Sequence, residues 1–473
     1  MPKSTRRALL KAAALAPAPA FAQTPRRPNF LMVLTDDHSV PHAGCYGDKM
    51  IRTPNIDRFA AEGMRFDRAY TTAPQCSPSR ASIFTGLSPQ RICMTRLATP
   101  LPPEHRIFPE ILSRNGYFTG VAGRWHHMDG RRVPRPWIGK IYDRHHLRTM
   151  NRRVDFVRTS AQGQMLEVIN AFLDQKPKQK PFFLSFCFND SHRRWDKNEF
   201  SAAYDPARIP VPAYLPDLPE VREDLTRYYG ELTRADGNFG RILDLLEKRG
   251  LSENTIVVFM GDNGYAMPHG KGTLYQPGWH VPLIIRWPGR VKPGRVTGEL
   301  VSGVDFAATF LEAAGIRPPA GTESHSFLNL LLGRPYQGRK CVFGSRGWHG
   351  NLDPIRSVCT NRYSLIYNCR PELPYRPISD FAGKPIWTAM KAAHQQGRLA
   401  PELSEAYFRP TRPVYELFDL RKDPGELHNL AGKPEHKDVE FELKSMLNEW
   451  MEATYDFLPP PFVASQDLDK DPL

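Results

Sequence analysis

The sequence predicts an α/β protein in which a mostly parallel sheet flanked by helices is followed by a smaller C-terminal α+β subdomain. Three observations carry this expectation. Up to about residue 340, apolar runs ending in polar clusters alternate with amphipathic segments, the pattern of parallel strands covered by helices. Beyond it the rhythm changes to adjacent β-like runs, irregular proline-rich sequence and one last helix. A chain of 473 residues with 41% hydrophobic content also buries a large core, enough for one big unit and a smaller one. The expected division is a leader at 1–22, a main unit at 23–340 and a C-terminal unit at 341–473.

The leader, MPKSTRRALLKAAALAPAPAFAQT, pairs Arg6 with Arg7 ahead of an alanine-rich stretch closing in Ala20-Phe21-Ala22. This resembles a bacterial twin-arginine signal peptide and predicts a periplasmic or secreted protein. NFLMVLT (29–35) reads as a first buried strand delivering Asp36 and Asp37 at its C-terminal end. TPNIDRFAAEG follows as a short helix, with Thr53 as N-cap, Pro54 in the first turn and Gly63 as stop. Further strands are expected at 117–123, 181–188, 255–261 and 281–287, with helices near 160–174, 219–249 and 304–314. In the C-terminal unit, CVFGS and PIRSVCTNRYSLIYN read as β-runs and 434–454 as a helix. No repeat and no low-complexity linker separates the two units, which predicts one packed body.

Composition narrows the function classes. The formal charge of +14 falls to +10 once Lys3, Arg6, Arg7 and Lys11 leave with the leader, so the excess belongs to the folded protein. No run of about 18 uncharged apolar residues occurs, which argues against a membrane span in the mature form. No nucleic-acid motif accompanies the positive charge, and an exported protein rarely meets nucleic acid, which leaves a sulfated or carboxylated polymer as the expected partner. The seven cysteines show neither C-x-x-C pairs nor zinc spacing. Without Cys76, six remain that either pair or stay as buried thiols.

Four polar clusters fall at strand ends, where open α/β sheets place their chemistry: Asp36-Asp37, Arg124 to His126, Asn189 to His192, and Asp262-Asn263. Each Asp pair alone fits a solvated turn or helix cap. Together they offer three carboxylates and an amide oxygen at one sheet edge, a cluster that repels itself unless a cation sits in it. Hard oxygen donors of this kind suit calcium or magnesium. Cys76 is then the odd residue. It stands in TTAPQCSPSRASIFTG among polar neighbours, four positions before Arg80, on the same face of a helix expected to begin at Pro78. A soft thiolate matches a hard-ion site poorly, whereas an oxygen would fit.

C-x-P-S-R followed by A-S-x-x-T-G resembles the signature of the type I sulfatases of the alkaline phosphatase superfamily. NFLMVLTDD, YFTGVAGRWH, FMGDNG with HGKGTLYQPGWHVPLIIRWPG, and YELFDLRKDPGELHNLA resemble further blocks of that family, so the likeness covers nearly the whole mature chain. It implies an alkaline-phosphatase-like fold and oxidation of Cys76 to Cα-formylglycine by a maturation enzyme, the hydrated aldehyde then serving as nucleophile. It implies calcium held by Asp36, Asp37, Asp262 and Asn263 with modified Cys76 as a further ligand. Arg80, Arg124, His126, His192 and Lys271 would surround the sulfate. VFGSRGWHGNLDPIRSVCTNRYSLIYN is similar to the heparan N-sulfatase (sulfamidase) branch, which points to a sulfated carbohydrate, with an N-sulfated glucosamine as the leading guess.

The chemistry agrees with that set. A sulfate ester is anionic and repels nucleophiles, so a divalent cation and fixed cations such as Arg80, Arg124 and Lys271 lower the repulsion. A histidine or Lys271 protonates the leaving oxygen or nitrogen. The chain departs from the family pattern at Arg124, where a lysine is usual; arginine keeps the charge but adds a rigid fork. Residues 124–153 carry nine Lys or Arg against Asp129 and Asp143, which reads either as a solvated face or as a rim for a polyanionic sugar. Two alternatives stay open: a phosphonate monoester hydrolase or phosphodiesterase of the same superfamily, and a non-catalytic polyanion-binding protein.

Overall fold

The computed structural model describes residues 26–97, 99–130 and 136–458; the leader at 1–22 lies outside them. Eight strands form the large sheet: β1 (Asn29–Thr35), β2 (Met64–Phe66), β3 (Phe118–Gly123), β4 (Phe156–Arg158), β5 (Phe182–Cys187), β6 (Thr255–Gly261), β7 (Leu283–Arg286) and β8 (Arg295–Thr297). Their order is β4-β3-β5-β1-β6-β7-β2-β8. β1 lies between β5 and β6 and runs parallel to both, and β3 runs parallel to β5 and β4. β7 is antiparallel to its neighbours β6 and β2.

The unbroken apolar run of β1 reflects burial on both faces. Phe30, Met32 and Leu34 pack with Ile83 and Phe84 of α2 (Cys76–Thr85) and with Phe306 and Phe310 of α5 (Asp305–Ala313). Leu31 and Val33 face the other layer: α1 (Pro54–Glu62), α3 (Met165–Gln175) and α4 (Pro219–Lys248). Alternation along one strand thus distributes its side chains to two helical layers.

A second sheet, antiparallel in the order β9-β10-β11-β12, comprises β9 (Cys341–His349), β10 (Asn351–Thr360), β11 (Tyr363–Asn368) and β12 (Tyr415–Asp419). Val358, Leu365 and Leu417 pack against Leu443, Leu447 and Met451 of α6 (Lys437–Ala453). The opposite face sends Val342, Ile355 and Ile366 against Tyr70, Leu274 and Trp279 of the main unit.

Some expectations shift. PIRSVCTNRYSLIYN folds as a hairpin of two strands, not one run. The helix expected at 160–174 begins at Met165, after Gly163 turns the chain with φ +84°. The helix expected from Pro78 begins at Cys76 itself. Thr53 does not cap α1; its hydroxyl accepts from Gly44 N and donates to Asp57. The orphan donors Asn55 N and Ile56 N are instead satisfied by Asp236 of α4, at 3.3 and 2.7 Å. A tertiary carboxylate has taken the cap's work.

Candidate active site

The register of the central strands sets four loop starts side by side. Thr35 pairs with Gly261, and both Leu34 and Gly123 pair with Cys187, so Asp36, Asp262, Arg124 and the 188–195 segment leave the sheet at one edge. Main-chain bonds continue the alignment: Asp262 N donates to Thr35 O at 3.0 Å, Arg124 N to Cys187 O at 3.0 Å and Asp36 N to Asp190 O at 3.1 Å. Gly123 is required there. Its φ is +75°, and a Cβ would collide with the Cys187 carbonyl. Asp37 also turns left-handed, with φ +70°, which Asp tolerates better than most residues.

Helix α2 carries Cys76 into this cluster at its first turn. Ser79 Oγ donates to Asp262 O at 2.5 Å, and Gly272 N donates to Pro74 O at 2.9 Å, which ties the helix start to both the β6 loop and the lysine segment. Asp36, Asp37, Cys76 and Asp262 each offer a ligand atom within 4.8 Å of the others. Asp36, Asp37, Asp262 and Asn263 have no solvent exposure, so they are not solvated turns. Asn263 Nδ2 donates to Asp37 Oδ1 at 2.8 Å, while its buried Oδ1 has no hydrogen-bond partner among the described residues. Three buried carboxylates and an orphan amide oxygen fit a hard divalent cation.

Basic groups interleave with the acids. Arg80 reaches Asp262 Oδ2 at 2.8 Å and Asp36 Oδ2 at 3.2 Å, and donates to Arg124 O at 2.7 Å. Arg124 Nε lies 2.8 Å from Asp36 Oδ2. Lys271 Nζ lies 2.7 Å from Asp37 Oδ1 and 3.2 Å from Asp380 Oδ1. Burial raises the Asp36 pKa, but Arg124, His192 and Arg80 outweigh it and hold the carboxyl well below its ordinary value. Burial, reinforced by Asp36, pushes Asp37 and Asp262 up. Burial and then Asp36 push the Cys76 thiol well above its ordinary range. Its Sγ sits 3.4 Å from Asp36 Oδ1, so a thiolate would form against a carboxylate.

A cavity of about 360 Å³ opens above this cluster, lined by Cys76, Arg124, His126, His192 and Lys271 together with Asp380. The structure therefore gathers ten of the ten candidate residues: Asp36, Asp37, Asp262 and Asn263 below Cys76, five around the cavity including Cys76, and Arg80 locked between Asp262 and Asp36. Sequence reasoning missed several neighbours. Buried His127 lies 3.6 Å from Asp36. Asp380 accepts from His349 Nε2 at 3.1 Å and lies 3.8 Å from His192 Nε2. The doublet His126-His127 was the available signal for the first; His349 lies inside the VFGSRGWHG block, at the end of β9, and Asp380 lies in the irregular sequence after β11, outside every motif block. The basic stretch 124–153 is described in part, since residues 131–135 lie outside the described residues. Among its described residues only Arg124, His126 and His127 line the cavity. Arg153 is buried, donating to the carbonyls of His105 and Pro102, and Arg148 pairs with Asp143 at 3.4 Å.

All seven cysteines are free thiols, and no helix among the described residues is long and apolar enough to cross a membrane. Comparison with known proteins agrees with this geometry. Residues 28–316 match the Sulfatase family, and residues 264–372 match the family described as N-sulphoglucosamine sulphohydrolase, C-terminal. The chain is 29% identical to human N-sulphoglucosamine sulphohydrolase, covering 93% of this chain and 92% of that protein. It is 31% identical to the dog N-acetylgalactosamine-6-sulfatase over 88% of this chain and 84% of that one. Among solved structures, one determined with its substrate D-glucosamine-2-N,6-O-disulfate superposes with a TM-score of 0.71 at 21% identity, covering 92% of this chain and 100% of that one. The phosphonate monoester hydrolase of Silicibacter pomeroyi gives 0.69 at 20% identity, covering 91% and 96%; both likenesses speak to fold, which is the alkaline-phosphatase-like α/β architecture. With its family match spanning more than half its length, the chain belongs to the sulfatases.

Proposed function

We propose that this sulfatase cleaves the S–N bond of an N-sulfated glucosamine, or an S–O ester of a related sulfated saccharide, using a Cα-formylglycine made from Cys76 and a calcium ion. The observation that carries this reading is the setting of Cys76: its thiol is pushed far up by burial and by Asp36, so as a thiol it is neither a ready nucleophile nor a good hard-ion ligand. Asp36, Asp37, Asp262 and Asn263 would hold the cation. That ion would draw charge from sulfate oxygens, and the hydrated aldehyde would put oxygen in place of sulfur at position 76. Maturation by a formylglycine-generating enzyme, and export to the periplasm or beyond through the leader at 1–22, belong to the same proposal, as does the division at residue 340.

The remaining roles fall to the chain's own side chains. Arg80, spanning Asp36 and Asp262, keeps two carboxylates in register. Arg124 uses Nε on Asp36, and neither of its Nη atoms makes a hydrogen bond within the protein among the described residues, so its fork is available to sulfate oxygens. Lys271, held between Asp37 and Asp380 with its pKa raised by them against burial, stays charged and faces the sulfate. His192 donates from Nδ1 to the Arg193 carbonyl, so it would pass a proton from Nε2 to the departing nitrogen or oxygen only as the imidazolium, which burial disfavours and the negative charge of a bound sulfate would favour. His126 also lines the cavity.

The test is desulfation of glucosamine N-sulfate, glucosamine 6-sulfate and a phosphonate monoester by protein co-produced with a maturation enzyme. Preference for the sulfamate supports the proposal. Preference for the phosphonate selects the alternative that shares this fold. Turnover of none, with Cys76 converted, leaves only polyanion binding.

A further inference from the structure

The cations in the cavity divide into two kinds. Arg124 and Lys271 are paired with Asp36, Asp37 and Asp380. Arg193 is also spoken for: it reaches Asp224 at 2.7 Å and lies 3.8 Å over the Trp195 ring. Arg194 and Lys384 line the same cavity, yet neither makes an ion pair or a side-chain hydrogen bond among the described residues. Arg194 is exposed and Lys384 half-exposed, so they stand toward the solvent side while the paired groups form the floor. They come from separate parts of the chain, one from the loop after β5 and one as the N-cap of the eleven-residue helix Pro385–Gln395. That helix adds the partial positive charge of its first turn. The only carboxylate lining the cavity among the described residues, Asp380, is occupied by Lys271 and His349. Among the described residues, no ion pair or side-chain hydrogen bond answers the charge of Arg194 and Lys384.

We propose that Arg194 and Lys384 form a second anion subsite at the cavity mouth, so that the preferred substrate carries a further negative group beside the sulfate being removed. This rests on the sulfatase reading of the floor. The chemistry fits a second sulfate on the same sugar or the carboxylate of an adjoining uronic acid, and it gives these two residues a part in polyanion selectivity. Two partly solvated cations acting on one anion raise affinity mainly through KM and lose strength with salt.

The test uses the Arg194→Ala, Lys384→Ala and double variants with three sugars: glucosamine N-sulfate, glucosamine 2-N,6-O-disulfate, and an N-sulfated glucosamine linked to a uronic acid. Wild-type protein is expected to favour a doubly charged sugar over the singly charged one. In the double variant the ratio of kcat/KM values, double to single charge, falls about tenfold, equivalent to about 1.4 kcal/mol, with the change in KM. A loss confined to the disulfate assigns the second group as sulfate; a loss confined to the uronide assigns a carboxylate. A ratio unchanged within about twofold, or equal losses on all three sugars, overturns the subsite. Calorimetric binding of the same sugars to protein with unconverted Cys76 reads the same ratio without turnover. A protein that desulfates nothing would therefore sink the proposed activity while the binding ratio still decides the subsite.

Discussion

Arg124 offers the sharpest perturbation, because its two ends are asked to do different things. Its Nε lies 2.8 Å from Asp36 Oδ2, and at an effective dielectric constant of about 20 that separation corresponds to a gross attraction of about 6 kcal/mol. Much of it is offset by desolvation of both groups. Arg80 remains 3.2 Å from the same oxygen, so Asp36 is not left without a counter-charge when Arg124 goes. Arg124→Met, which keeps length and removes charge, should therefore cost only about 1–3 kcal/mol of stability, read as a modest Tm shift. Loss of the fork from the cavity should cost far more in turnover, about 100- to 1,000-fold in kcat/KM, the range for removing one preorganised donor from a developing charge. Arg124→Lys should recover much of the rate, since a point charge still reaches sulfate. The assay is steady-state release of sulfate from glucosamine N-sulfate, with thermal denaturation in parallel. Wild-type turnover in Arg124→Met, at any stability, would refute the assignment of the fork to sulfate.

Other consequences follow from the same geometry. Chelation of divalent cations should abolish turnover and lower Tm, since Asp37 and Asp262 are raised by burial and by their acidic neighbours; restoring calcium at 100 times its Kd returns about 2.7 kcal/mol, and an unaltered Tm after chelation would contradict a metal here. Asp380→Asn leaves Lys271 with Asp37 alone, and kcat/KM should fall about tenfold, with the pH profile of kcat moving because His192 and His349 lose a common acceptor; an unmoved profile would reduce Asp380 to packing. Burial, against the hydrogen bond from Gln276 N, pushes Glu426 up to about 8 from an ordinary 4.5, so the native state keeps a proton that the unfolded chain releases, and stability falls as pH rises between those values. Glu426→Gln should gain on wild type across that window by up to about 4 kcal/mol, visible as a flatter plot of Tm against pH; parallel plots would contradict it. Gly123→Ala should destabilise by about 2 kcal/mol or more, because φ is +75° and the Cys187 carbonyl blocks the added methyl, measured by denaturant unfolding.

Much of this site was legible in the sequence, and for a physical reason. A parallel strand buried on both faces is an apolar run, and the first polar residues after it must emerge at the sheet's C-terminal edge. Asp36, Arg124 and Asp262 all announce themselves this way, and Cys76 does so by being a soft residue in polar surroundings. What escaped was set by packing at long range. Asp380 lines the cavity from the C-terminal part, in a segment with no strand-end pattern to mark it, and His349, the last residue of β9, reaches the site through Asp380. Thr53 has every local property of a cap, yet Asp236 does the capping from 180 residues away. The reversal of β7 depends on its pairing with β2, which periodicity does not encode. The charge run at 124–153 reads as one feature, but among its described arginines Arg124 lines the cavity, Arg153 donates to main-chain carbonyls and Arg148 pairs with Asp143.

The account turns on residue 76 acting through oxygen. The direct measurement is mass spectrometry of the peptide spanning Cys76, taken from protein that is turning over glucosamine N-sulfate after co-production with a maturation enzyme. The expected result is a loss of about 18 Da relative to the thiol peptide, in proportion to activity. Full activity in protein whose Cys76 remains a thiol would contradict it.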